Sequence, residues 1–198
     1  LRIYYDCEFL EDGETIRLIS IGMVREDGQY LYRIVNDSQL MLDVWKHPWL
    51  RKNVIPSLPI ESVYREHDID NSYRELLVWE SHHTDYPCIK QRKTIAEDVK
   101  RFITDTPNAE LWAYYAAYDH VALCQLFGRM IDLPNGVPMH TMDIKQEIMR
   151  LGNPQVPEQA EGLHNALSDA QWNKETYEYL QQLYDPSKRL RDAFTRDL

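Results

Sequence analysis

Three apolar runs separated by turn residues fill the first 35 positions, and nothing else in the chain restricts its fold as strongly. The first contains Ile3-Tyr4-Tyr5 and ends near Leu10, where Glu11-Asp12-Gly13 supplies a turn. Thr15 to Val24 is rich in β-branched and apolar residues. Asp27-Gly28 is a hairpin signal, because both residues tolerate the backbone angles of a tight turn, and Tyr30 to Val35 follows as a third strand. These runs predict a three-strand antiparallel meander.

The next stretch breaks the pattern. Pro48, Pro56, Pro59 and Pro87 interrupt residues 36–93, which also carry the pair His82-His83. Short helices are expected around Leu40–Trp49 and Tyr73–Trp79, with loops elsewhere, so that 36–93 forms an irregular insertion packed on the core. Periodicity then returns. Ile95, Val99, Phe102 and Ile103 form a stripe on a helix expected to begin at Thr94, with Glu97 completing a capping box. Glu110–Tyr115 reads as a buried strand, Asp119–Met130 as a helix and Pro138–Ile144 as a short strand. Lys145–Leu151 reads as a helix ended by Gly152. A last helix, from about Asn165 to Tyr184, places Leu167, Ala170, Tyr177, Leu180 and Tyr184 on one face. Three antiparallel strands followed by alternating helices and strands predict an α/β fold, a mixed sheet with helices on both faces. With 198 residues, 43% hydrophobic and 27% charged, one domain over 1–198 with one continuous core is expected.

Charge narrows the function. The net charge is -10, so the bulk field repels phosphate. A protein that held nucleic acid by its overall field would be basic. Composition alone therefore favours an acidic enzyme for small neutral or cationic substrates, and a nucleic-acid substrate requires a local site where metal ions reverse the sign. No apolar run approaches the length that spans a bilayer, so no membrane partner is expected. Cys7, Cys88 and Cys124 are odd in number and scattered, which argues against a disulfide framework or zinc site and for a reducing cytoplasm.

Asp6 and Glu8 lie two apart in the first apolar strand. The strand period puts both carboxylates on one face and turns Cys7 to the other. Two acids side by side in a hydrophobic strand repel each other and lose hydration, unless a cation joins them. Hard divalent ions of the magnesium class take such oxygen ligands. A second D-x-E, Asp12/Glu14, falls in a turn and lacks that context. Asp119 follows a strand and opens a helix; an N-cap is its ordinary reading, and projection toward Asp6 its functional one. Of seven histidines only His164 has an Asp five residues later, Asp169. His164 is placed in the loop before the last helix, free to swing, and Asp169 lies off the stripe begun by Leu167. Taken singly, a solvated helix face explains Asp169 equally well, and a lone histidine is more often structural than catalytic.

The ordered set is more specific than its parts. D-x-E, then Asp at a strand-to-helix junction, then H-x-x-x-x-D at the start of a C-terminal helix resembles the DEDDh 3'-5' exonuclease family, which has the RNase H-like fold. Position 165 is Asn, so the sister pattern with Tyr four residues before the last Asp does not fit. Asp6-Cys7-Glu8-Phe9, TIRLISIG (15–22), WAYYAAYDHVALCQLFG (112–128) and HNALSDA (164–170) are similar to the bacterial and phage group that includes the polyadenylate-specific exoribonuclease of actinobacteria. By this resemblance Asp6, Glu8, Asp119 and Asp169 would hold two Mg²⁺ or Mn²⁺ ions, and His164 would serve as general base toward an attacking water. Nucleoside 5'-monophosphates would leave from the 3' end of single-stranded RNA, with adenylate favoured. Phe9 and Tyr118 are candidates to stack on the terminal bases and fit equally well as core aromatics, and Lys90-Gln91-Arg92-Lys93 could guide the backbone, although a solvated helix entrance is its more ordinary reading. The resemblance leaves open a DNA exonuclease of the same family, a non-catalytic nucleic-acid-binding module and a homodimer. A carboxylate-metal phosphatase suits the acidic charge but leaves the placement of His164 unexplained.

Overall fold

A computed structural model describes residues 1–67, 73–159 and 161–183. The meander forms as expected. β1 (Arg2–Glu11), β2 (Ile16–Arg25) and β3 (Tyr30–Val35) pair antiparallel in sequence order. Gly28 takes φ +89° in the turn between β2 and β3, a region open to glycine at no steric cost. After β3 come α1 (Ser38–Lys46), α2 (Pro48–Asn53) and a 3-10 turn over Ile55–Ser57. β4 (Ile60–His67) and β5 (Tyr73–Trp79) then form a separate antiparallel ribbon. β6 (Ile89–Lys90), α3 (Arg92–Thr104), β7 (Glu110–Ala113), α4 (Ala117–Gln125), β8 (Met142–Asp143), α5 (Ile144–Arg150) and α6 (Ala166–Leu183) complete the order. β6, β7 and β8 join the meander parallel to β3, β1 and β7, which gives a mixed sheet in the order β6-β3-β2-β1-β7-β8. Among the described residues no helix is long and apolar enough to cross a membrane.

Several boundaries differ from the sequence reading, each for a local reason. Tyr73–Trp79 is a strand and not a helix, and 36–93 holds a β-ribbon where loops were expected. Leu77 and Trp79, two apart, pack on the core, but Leu76 and Val78 between and beside them are apolar too and hide the period of two. α3 begins at Arg92 with Gln91 before it, so Thr94 is inside the helix and caps nothing. α4 ends at Gln125, and a 3-10 turn over Met130–Asp132 replaces its predicted last turn. The expected strand over 138–144 is reduced to Met142–Asp143. On α6, Ala170, Tyr177 and Leu180 are buried as expected, while Leu167 is half-buried and Tyr184 lies outside the described residues.

β1 divides the core between its two faces. Ile3, Tyr5 and Cys7 turn toward the main cluster, which includes Ile95, Val99 and Ile103 of α3 and Ala122 and Leu123 of α4. Each of the larger aliphatic side chains stabilises the fold by roughly 1.5–3 kcal/mol on burial. Tyr4 turns the other way and packs with Ile144 and Ile148 of α5 and Tyr177 and Leu180 of α6. Asp6 and Glu8 follow Tyr4 along that second face. Among the described residues β7 pairs with β1 only across Arg2, Ile3 and Tyr4, and beyond Tyr4 none of them adds a strand to that edge of β1.

The start of α6 is fixed by a close approach to the sheet. Gly22 pairs with Asp6 across β1 and β2, and a Cβ on Gly22 would collide with the backbone of Ala166 and Leu167. Farther along α6, buried Asn173 donates from Nδ2 to the Tyr5 carbonyl at 3.0 Å. Gly22→Val should therefore destabilise the protein by about 1–3 kcal/mol or more, read as a lower urea midpoint, because neither backbone can yield cheaply. An unchanged midpoint would mean that α6 does not need this contact.

Candidate active site

Three elements converge where β7 leaves β1. β1 contributes Asp6 and Glu8, α4 contributes Asp119, and the loop and first turn of α6 contribute His164 and Asp169. Ligating atoms of Glu8, His164 and Asp169 all lie within 4.8 Å of one another. Asp6 lines the same cleft as His164 and Asp169, a cavity of about 640 Å³ also walled by Tyr114, Trp172 and Asn173. Asp6 and Asp119 stand outside the tight triple but close enough to repel its carboxylates.

Asp119 is held by the open strand edge. Its Oδ1 accepts the Cys7 N–H at 2.8 Å in the interior. This donor has no strand partner on the β7 side, so the carboxylate satisfies a buried group that would otherwise lack one. Asp119 sits in the first turn of α4 and not at its N-cap, which is Ala116. The ordinary reading thus fails and the side chain points to β1. Behind it, His120 bonds Thr141 Oγ1 at 3.0 Å and the Met139 carbonyl at 2.9 Å, and Tyr5 Oη meets the same threonine at 2.7 Å. This network, which no local motif announces, ties α4 to β1 beside both acidic segments.

His164 is braced, contrary to the expectation of a freely swinging side chain. Its backbone takes φ +63° and its carbonyl accepts Ser57 Oγ at 2.7 Å. Its ring meets Trp49 edge-on at 4.9 Å between centroids. Asn165 caps α6, its Oδ1 accepting the N–H groups of Leu167 and Ser168 at 3.1 Å. Trp49 and Ser57 belong to the segment after β3 that sequence periodicity left without a role. Phe9 and Tyr118 do come together, as stacked rings 5.9 Å apart at 12°. Tyr118 is half exposed, so the pair offers a face to solvent. Asp12, of the second D-x-E, instead closes its own turn by accepting the Glu14 and Thr15 N–H groups.

Burial and mutual repulsion act together on the acids. Burial first, then Asp119, Glu8 and Asp169, hold Asp6 well above the usual carboxylate range. Burial, then Asp169 and Asp119, push Glu8 up to about 8. Burial also raises Asp119, against the opposing pull of the Cys7 N–H, with Asp143 and Asp169 adding to the rise. Asp143 had gone unnoticed in the sequence; it caps α5 through the Lys145 and Gln146 N–H groups. Asp169 is raised by burial, while Gln159, which donates to its Oδ1 at 2.7 Å, and the His164 imidazole oppose that. Ligating oxygens of Glu8 and Asp169 lie within 4.8 Å of each other, and the Asp169 charge opposes ionisation of Glu8. Crowded oxygen donors of this kind suit hard divalent cations, whose charge would relieve both repulsion and burial.

The architecture defines the class. Exonuclease I, as a solved structure, superposes with a TM-score of 0.50 at 11% identity, over 92% of this chain and 43% of the longer one, and the shared fold is RNase H-like. Residues 1–181 match the family model described as the 3'-5' exoribonuclease Rv2179c-like domain, and the chain belongs to that family. Two relatives from Mycobacterium tuberculosis, the 3'-5' exoribonuclease Rv2179c of strain H37Rv and its counterpart MT2234.1 of strain CDC 1551, are each 37% identical over 172 residues. The match spans 86% of this chain and 87% of theirs.

Proposed function

We propose that this protein is a divalent-metal-dependent 3'-to-5' exoribonuclease that releases nucleoside 5'-monophosphates from single-stranded RNA, with adenylate favoured. The observation that carries the reading is the meeting of Glu8, His164 and Asp169 within 4.8 Å, beside Asp6 and Asp119. The activity in the names of the relatives supports it. Asp6, Glu8, Asp119 and Asp169 would hold two Mg²⁺ or Mn²⁺ ions, which when bound supply the charge that makes water a nucleophile and steadies the leaving 3' oxygen. His164 accepts the proton of the attacking water, from a ring fixed by Trp49 and a backbone fixed by Ser57. Cys7 N–H orients Asp119, and Asn173 keeps α6 in register with β1. The Phe9–Tyr118 pair supplies a stacking surface for a terminal base.

RNA and DNA oligonucleotides labelled at the 5' end, incubated with and without magnesium, test this. A ladder that shortens from the 3' end only with metal, faster on RNA, is expected; no shortening of either strand would overturn the reading. A faster DNA ladder would make the protein a DNA exonuclease.

Metal and pH should act on stability through the same acids. Burial and the neighbouring acids push Glu8 up to about 8 in the fold, from about 4.5 for an ordinary glutamate. The folded state therefore binds more protons between these values, and metal-free stability should be greatest below about pH 4.5 for this group and decline toward pH 8. Magnesium should raise the melting temperature most at the upper end of that window. Thermal unfolding at several pH values, with chelator and with millimolar magnesium, checks both; a flat metal-free profile would contradict the crowding of the carboxylates.

A further inference from the structure

Positive φ at residues other than glycine is rare enough among the described residues to be informative. It occurs at Asn108, Tyr115, Asn153 and His164. Asparagine adopts this region readily, and His164 has its place in the site. Tyr115 is the exception. At φ +56° it carries a bulky ring in a conformation that crowds its Cβ, at the turn from β7 into α4. Glycine or asparagine would make that turn with less strain. Burial does not compensate, since Tyr115 is 61% exposed.

The ring belongs to a row of aromatics. Tyr115 meets Tyr114 edge-on at 4.7 Å. Tyr114 in turn meets Trp172 edge-on at 5.1 Å. Tyr114 and Trp172 wall the cleft that holds Asp6, His164 and Asp169. Tyr115 is thus the exposed outer member of a row whose inner members line the site. Strain kept at so exposed a place, with only an edge-on ring contact beside it, points to a functional contact. We propose that Tyr115 contacts substrate, its ring packing against the RNA strand as that strand enters the cleft. The inference rests on the exoribonuclease reading and adds to it a source of affinity. A chain of net charge -10 gains little from its overall field, whereas an aromatic face holds any base.

Three variants test it, Tyr115→Asn, Tyr115→Gly and Tyr115→Phe, each measured for RNA affinity in calcium, for cleavage in magnesium and for thermal unfolding. Tyr115→Asn is expected to melt at or above the parent temperature and to bind single-stranded RNA roughly 10-fold more weakly. Tyr115→Gly should lose the same affinity, and Tyr115→Phe should keep it. Unchanged affinity in the Asn and Gly variants overturns the proposal. So does a loss of affinity matched by a fall in melting temperature in both, which would make Tyr115 a structural residue of the turn. Equal loss in Tyr115→Phe would overturn the ring contact. If the parent binds RNA without shortening it, the exoribonuclease reading fails and the affinities still decide the role of Tyr115. If the parent does not bind RNA, both fall.

Discussion

Asp119→Asn should leave a folded protein whose RNA cleavage falls by on the order of 10³-fold or more, because a ligand shared by the proposed two-ion site would have no substitute. The substitution separates charge from shape. Asparagine presents the same oxygen to the Cys7 N–H, so the 2.8 Å bond and the position of α4 are retained. It also removes a buried negative charge from beside Asp143 and Asp169. Without metal, the variant should therefore melt above the parent at pH 8, where the parent carries the charge it resists. With magnesium, the parent should regain its advantage. Cleavage and thermal unfolding, each with metal and with chelator, give four readings. Near-parent cleavage by Asp119→Asn would remove this residue from the proposed ligand set.

His164→Ala is expected to cost roughly 10²–10⁴-fold in single-turnover cleavage, while affinity for RNA in calcium survives. The imidazole shares its neighbourhood with Glu8 and Asp169, but in the proposed function the carboxylates would hold the cations and, through them, the phosphate. His164→Asn is the companion variant, because asparagine accepts the φ of +63° that alanine resists. Both variants should be equally slow if the loss is chemical. If Asn recovers most of the rate, the loss in Ala comes from the backbone at the start of α6. If both lose affinity as strongly as rate, the histidine binds substrate and does not act as base.

The sequence shows the acidic strand and the two later motifs because each is local. Asp6 and Glu8 declare themselves by sitting inside an apolar strand, and His164 and Asp169 by their spacing at a helix start. Their convergence is not local. It depends on β7 leaving β1 after Tyr4, on Asn173 reaching the Tyr5 carbonyl and on Gly22 admitting Ala166. These contacts join residues more than a hundred positions apart, or rely on a missing side chain, and no periodicity reports them. The ribbon of β4 and β5 was hidden by adjacent apolar residues that fit two periods at once. The bracing of His164 by Trp49 and Ser57 was hidden because an edge-on ring contact and a hydroxyl bond to a carbonyl leave no spacing pattern. The strand pattern around Glu110–Tyr115 likewise gave no sign that the chain turns through a left-handed residue at Tyr115.

The split of the site between β1 and α6 has a consequence in time. On a ribosome, Asp6 and Glu8 are made first, and Asp169 some 160 residues later, on the last described helix. Until that helix emerges and docks at Gly22, the acids of β1 have neither Asp169 nor His164 beside them. Until α6 has been made, the proposed site therefore cannot assemble, even where the sheet has begun to form.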